Sequence, residues 1–474
     1  MVVDLRKFFE ATDPSRTLVV NNTQDKKYYI DFSSVRGGDI IGKLKQKITF
    51  FKPNDPSCTL FTGHIGCGKS TELLRLKLEL EADGFHVVYF ESSEDLEMTD
   101  IDIADILLAI ARRVSQSLEK LKLEEPSQLK ELLQGAVRVL NAEVTGVKLK
   151  VPSVGDVGVT SEKEKLTLAF GIGEITAKTK SDARLREKLN QYLGPQKIQL
   201  LDAINKELLE PAITKLKQQG KKGLVVIVDN LDRIDNRAKP WGRPQQEYLF
   251  VDQGEYLTKL NCHAVYTMPL SLKFSNDYGT LTQRFLEDPR VLPMVPVQWS
   301  DGSVHEEGMT LIQQMVLARA FPDLQPDQRL SNITFIFDRA ATLDHLCRMS
   351  GGHVRDLLRL LNTWIMEEMS LPLTRDTLDN VIRARRNEMI MPISDDEWEL
   401  LRHVKQRKKV SDDQGYQKLI RSRFVFEYRD RLRRALRAIA VSPGLMLIRF
   451  WQRRGSCSKR SRGSRGCRGR RNDK

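Results

Sequence analysis

The residues best suited to chemistry are Gly63-His64-Ile65-Gly66-Cys67-Gly68-Lys69-Ser70, followed by Thr71. They match, without a mismatch, the pattern of a glycine, four residues, then glycine-lysine-serine. Each part has a physical reason. Glycines admit positive φ and let main-chain N–H groups approach phosphate oxygens closely. A helix starting at Lys69 aims the positive end of its dipole at the same anion. An ammonium at Lys69 reaches the outer phosphates, and a hydroxyl at Ser70 ligates Mg²⁺. A second chemical group is Asp229, which closes the apolar run Leu224–Val228. A carboxylate there can hold a magnesium shell. The plainer reading is a strand-ending turn residue. Cys67 lies inside the glycine loop, where backbone dipoles would lower a thiol pKa. A tolerated small residue is the simpler account.

Such a loop needs a strand before it and a helix after it. SCTLFT, bounded by Pro56 and Gly63, reads as a buried strand. Leu73, Leu76 and Leu80 form one helical stripe, and Gly84 sits where a C-terminal cap belongs. HVVYFE, GLVVIVDNLDRI, NCHAVYTMPLSL and the proline-interrupted VLPMVPVQW read as four further strands. The expected class is α/β, a parallel sheet with helices on both faces.

Upstream, Tyr28–Phe32 alternates as a short strand or extended piece, and Ile40, Ile41, Leu44 and Ile48 mark a helix face. Residues 95–220 interrupt the pattern as a long α+β insertion. Ile101–Leu121 is helical. Val147, Leu149 and Val151, then Leu166, Leu168, Phe170 and Ile172, alternate like hairpin strands. Leu201, Leu208, Ala212 and Leu216 return to a helical face. After His305 the pattern is helical, then ends in two helices and a wing-like strand near Asp430. The expected division is a leading segment 1–54, a core 55–300, a helical lid 301–390, an incomplete winged-helix-like piece 391–430 and a basic tail 431–474.

Composition narrows the class. The chain is 474 residues, 40% hydrophobic and 29% charged, ordinary for a water-soluble globular protein. It has neither an apolar run of membrane-spanning length nor a signal-like start, so a cytoplasmic protein is expected. Its six cysteines and seven histidines have no metal-binding spacing. The net charge of +13 does not mark a nucleic-acid surface. Residues 431–474 hold 15 basic residues and one acid, leaving 61 bases against 62 acids in the preceding 430 residues. That tail reads as disordered or as the product of a frameshift near codon 430.

LFTGHIGCGKSTELL, LVVIVDNLDRI, AVYTMPLSL and SGGHVRDLLRLL follow one another as in AAA+/STAND ATPases. The chain resembles that family over most of Leu5–Asp430. It looks closest to uncharacterised bacterial, notably cyanobacterial, P-loop ATPases, with a lid similar to that of replication initiators. The resemblance implies ATP and Mg²⁺ as ligands. It implies Thr267 as a sensor of the γ-phosphate and Arg355 as a lid arginine contacting it. Arg284 would be an arginine finger reaching a neighbouring subunit of a homo-oligomer. Tyr29, Asp31 and Arg36 lie where such proteins contact the base.

One departure matters. The family's catalytic acid follows the magnesium aspartate directly, and here Asn230 stands there. An amide orients a water but does not take its proton. Asp232 would substitute if the chain curls back toward the γ-phosphate; otherwise hydrolysis is slow. Slow turnover with tight ATP binding suits a nucleotide-controlled switch, and a fast rate surviving Asp232→Ala would exclude it. Alternatives are a DNA-binding ATPase, using basic residues such as Arg402, Lys405, Arg407, Lys408 and Lys409, and a nucleotide-binding scaffold without significant hydrolysis.

Overall fold

A computed structural model describes residues 3–121, 123, 126–141, 168–299, 301–411, 414–429 and 437–441. Five of the expected apolar runs form strands: β1 (Cys58–Gly63), β2 (His86–Glu91), β3 (Leu224–Asp229), β4 (His263–Met268) and β5 (Arg290–Leu292). They make one parallel sheet in the order β2-β3-β4-β1-β5. This is the α/β fold of P-loop NTPases, with helices on both faces. Every residue of β3 and β4 is buried, which is why these strands read as continuous apolar runs. Alternate residues serve opposite faces. Leu224, Val226 and Val228 join the core under the insertion. Val225 and Ile227 pack with Leu73, Leu76 and Leu80 of the phosphate-loop helix, Lys69–Ala82. β5 is only three residues long because Pro293 follows it and has no N–H to donate to a ladder.

The insertion corrects one expectation. Leu168, Phe170 and Ile172 lie in a helix, Leu168–Ser181, not in a hairpin strand. Ile172 and Ile175 are buried three residues apart in the core that also holds the helix Ile103–Ser117. Packing of that spacing overrides a short local alternation. The alternating positions at 147–151 and 166 lie outside the described residues. Among the described residues the insertion is helical, and Leu201, Leu208, Ala212 and Leu216 are buried on one core as expected.

In the N-terminal segment the strand alternative fails, while Tyr29 is extended. Tyr28 ends a helix, Thr23–Tyr28, which Asn22 caps, and no strand covers 29–32. Phe8, Phe32 and Val35 pack into the lid core beside Trp364 and Leu361. Asn362 Nδ2 donates to Phe9 O at 3.1 Å. The chain's beginning thus braces the lid helix, Val354–Glu368.

The C-terminal piece has a helix Asp395–Arg407, closed by a Ser394/Glu397 capping box, and a helix Gln414–Arg421. A strand β6 (Val425–Arg429) follows. It pairs antiparallel with β7 (Arg437–Val441), from Val425↔Val441 to Arg429↔Arg437. The strand expected to stop near Asp430 therefore has a partner within the basic segment.

Candidate nucleotide site

The glycine loop joins β1 to the phosphate-loop helix, with φ of +91° at Gly66 and +103° at Gly68. These are left-handed values that suit glycine. A Cβ on Gly66 would also lie 2.7 Å from the His353 ring and 2.8 Å from Arg355 Cβ. The lid thus presses on the loop where a side chain is missing. Lys69 Nζ donates to Gly63 O and His64 O, each at 2.9 Å, and lies 3.0 Å from Asp232 Oδ2. Burial opposes its charge, but Asp232, with Asp229 further off, outweighs this and raises its pKa. Cys67 turns away from the cleft: its Sγ lies 3.7 Å from Leu292 O, fully buried.

At the end of β3, Asp229 Oδ2 accepts from Tyr89 Oη at 2.9 Å, and the same phenol hydrogen-bonds Ser70. Burial and the neighbouring Asp229 raise the Tyr89 pKa. One hydroxyl thus ties together the carboxylate and the hydroxyl that the sequence nominated as metal ligands. A hard-oxygen pair with a single carboxylate suits Mg²⁺, which keeps waters and phosphate oxygens in its shell. No group of three or more metal-binding side chains occurs among the described residues.

The chain then turns sharply. Asn230 has φ +65°, and its N–H donates to Asp229 Oδ1 at 2.6 Å. Its side-chain amide donates to Glu91 Oε2 at 2.6 Å. Leu231 N donates to Thr267 Oγ1 at 2.9 Å, and this turn, Leu231–Arg233, swings Asp232 onto Lys69. Asp232 does curl back to the loop. Thr267 is fully buried and anchors that turn from behind.

The cleft has a cavity volume of about 80 Å³ and is open to solvent. Ile65, Gly66, Gly68–Thr71, Asn230, Asp232 and Arg233 form its floor; Val354, Arg355 and Leu358 form its lid side. Pro14, Arg16, Thr17 and Leu18 of the N-terminal segment close the far end with Arg319. Burial lowers the Arg355 pKa first, and Arg233, Arg423 and Arg359 add to the shift. So many cations crowded together favour an anionic ligand. Arg319 is buried, which lowers its pKa to about 10; Nη1 donates to Met315 O, and Nε has no partner among the described residues.

Other nominated residues lie elsewhere. Tyr29, Asp31 and Arg36 do not line this cleft. Tyr29 Oη donates to Glu72 Oε1 at 3.2 Å, and Arg36 Nη2 donates to Cys67 O at 2.8 Å, so both brace the loop and its helix from outside. Arg284 sits on the helix Tyr278–Phe285, 3.8 Å from Glu255, away from the cleft. Tyr89, Glu91, Arg233 and Arg319 were missed. Tyr89 and Glu91 carried a usable signal, since they end the strand beside β3, where parallel α/β sheets bind ligands.

The loop's other side is gripped by the C-terminal hairpin. His64 Nε2 accepts from Glu427 N at 2.9 Å. Phe426 lies edge-on to His64 and stacks on His353, whose Nε2 is 2.8 Å from Ile65 O. Arg355 N donates to Gly66 O at 3.1 Å. Glu427 forms a buried ion pair with Lys273, 2.6 Å apart, and Tyr428 Oη donates to Gly351 O at 2.7 Å. Burial, with His353 and Lys69 nearby, holds the His64 pKa well below its ordinary value. His353 is lowered chiefly by burial.

Residues 39–238 match the model of the KAP family P-loop domain. No curated protein matches the chain. Among solved structures, the chain is similar to Aeropyrum pernix ORC2 in ADPNP–ADP complexes, at 11% identity and TM-score 0.39, covering 92% of this chain and 93% of that one. It is similar to a chain of Drosophila ORC bound to DNA at 12% identity and TM-score 0.34, covering 92% and 88%. For Aeropyrum pernix ORC1 in complex with DNA the values are 13%, 0.31, 85% and 88%.

Proposed function

We propose that this protein binds ATP with Mg²⁺ in the cleft and uses slow hydrolysis to switch the position of its lid and C-terminal hairpin. The observation that carries this is the loop Gly63–Ser70 held between two grips: Lys69 with Asp232 on one side, His353, Arg355 and Glu427 on the other. Triphosphate oxygens would take over Lys69 from Gly63 O and His64 O, and loosen the Asp232 pair. Main-chain amides of the loop would hold the phosphates, and Arg355, Arg233 and Arg16 would balance their charge. Ser70 and Asp229 would hold Mg²⁺, which screens charge on the β- and γ-phosphates. The base would sit toward Leu18, Val354 and Leu358, where the cleft is apolar. Because Arg355 N and His353 touch the loop directly, a changed loop moves the lid. Arg284 would meet nucleotide only across subunits of a homo-oligomer.

The test is calorimetric titration of the full chain with ATP and Mg²⁺, alongside phosphate release. Micromolar or tighter binding that Lys69→Ala abolishes supports the reading. Absence of nucleotide heat from folded wild-type protein excludes it.

A second reading, DNA contact through the C-terminal piece, is favoured by the exposed Arg402, Lys405, Arg407 and Lys409 around one helix end. Charge reversal at these four positions would abolish salt-dependent DNA binding in that case. An unchanged salt slope would place the contact elsewhere or in the basic tail.

A further inference from the structure

Three carboxylates stand at the C-terminal edge of the sheet, and they differ in what already engages them. Asp229 accepts from Tyr89 Oη and Asn230 N, and shares Tyr89 with Ser70. Asp232 is paired with Lys69 at 3.0 Å, with only 4% of its side chain exposed. Glu91 ends β2 directly across from Asp229 in the β2–β3 register. It accepts the Asn230 side-chain amide at 2.6 Å and remains partly open to solvent. An ion-paired carboxylate is a weak base, because the cation stabilises its charge. A carboxylate hydrogen-bonded to a neutral amide, with Arg233 acting on it only as a longer-range charge, is oriented without a direct ion pair. Asn230 itself lines the cleft, and Glu91, which is not part of the lining, stands directly behind it at hydrogen-bond distance.

We propose that Glu91, oriented by the Asn230 side chain, is the catalytic carboxylate of this chain. The acid then comes from β2 and the amide from β3, which accounts for an asparagine following Asp229. In the step, a water oxygen held by Glu91 forms a bond to the γ-phosphorus. The bond from that phosphorus to the bridging oxygen breaks, and its electron pair leaves with ADP. The water's proton passes to Glu91 and from there to solvent, giving ADP and phosphate. The proposal rests on the ATPase reading above.

The experiment compares full-length wild type, Glu91→Gln, Asn230→Ala and Asp232→Asn, with three readouts. These are phosphate release, calorimetric affinity for ATP with Mg²⁺, and the identity of nucleotide retained after gel filtration. Glu91→Gln is expected to slow turnover about 100-fold or more while affinity stays within about threefold, and to retain triphosphate. Asn230→Ala, which leaves the acid but removes its orienting donor, is expected to lose about tenfold in turnover with binding kept. Asp232→Asn is expected to act mainly on affinity, through Lys69. Turnover by Glu91→Gln within about threefold of wild type overturns the proposal. So does a Glu91→Gln affinity loss matching its turnover loss, which would make the residue structural. Wild type that binds ATP but never releases phosphate overturns it too and leaves the binding reading standing. Wild type that binds no nucleotide removes both.

Discussion

The two sides of the phosphate loop are built by opposite means. The cleft side is charged and open to solvent, and much of its floor comes from residues close in sequence: Ile65, Gly66 and Gly68–Thr71, then Asn230, Asp232 and Arg233. The other side is dry. His64, Phe426, His353 and Glu427 meet there over a separation of up to 363 residues, held by ring packing, one main-chain hydrogen bond and a buried ion pair. In the proposed switch the cleft would exchange partners with a ligand, and the dry side would transmit that exchange, because its buried contacts are not readily replaced by water.

The largest effect should come from the dry side. Lys273→Met leaves the Glu427 carboxylate buried without its cation, and should cost about 3–5 kcal/mol in urea unfolding. Adding Glu427→Leu should restore most of it, since the pair's desolvation cost disappears with the pair. If Lys273→Met is neutral, the ion pair is not what anchors the hairpin.

Next is the cleft. Lys69→Ala should weaken ATP binding about 100-fold by calorimetry. It should also lower the urea midpoint, by less than Lys273→Met, because Asp232 is left without its cation but lines a cleft that water can enter. A comparable loss of stability would blur the distinction between the two sides.

Acid should weaken the dry side, in addition to what His86, His263 and His345 lose elsewhere, since burial lowers their pKa values as well. His64 and His353 have folded pKa values below their unfolded value of about 6.5. Below that pH the unfolded chain binds protons that the folded chain does not. Their stabilising contribution is therefore complete above about pH 6.5 and lost as pH falls, at about 1.4 kcal/mol per pH unit for each histidine. Urea midpoints at pH 7.5 and 5.5 measure it, and His64→Gln should remove part of the slope. A flat profile would mean that the histidines are not held neutral.

The smallest effect is expected for Tyr428→Phe, which removes one buried hydrogen bond to Gly351 O and should cost about 1 kcal/mol by the same unfolding measurement.

Much of the candidate site was legible because it is local. The spacing from Gly63 to Ser70 marks its own geometry, and Asp229 is marked by the apolar run it ends. The five sheet strands were legible for the same reason: burial on both faces leaves a continuous apolar signature. The helix at Leu168–Ser181 was misread because the alternation at Leu168, Phe170 and Ile172 is short, and the three-residue spacing of Ile172 and Ile175, which pack into the insertion's core, outweighs it. Tyr29 and Arg36 hold the loop and its helix from outside the cleft, a placement that nearness to the loop in sequence does not reveal.

The sequence alone determined that a phosphate-binding loop sits between a strand and a helix, and that an amide follows the Asp229 carboxylate. Side-chain identity and spacing along one backbone suffice for that. Only the tertiary structure decided that Glu91 faces Asn230, that Asp232 returns to Lys69, and that Phe426 and Glu427 wedge behind the loop. Strand order, turn direction and hairpin docking bring those groups together across long separations, and no local pattern in the chain encodes such distances.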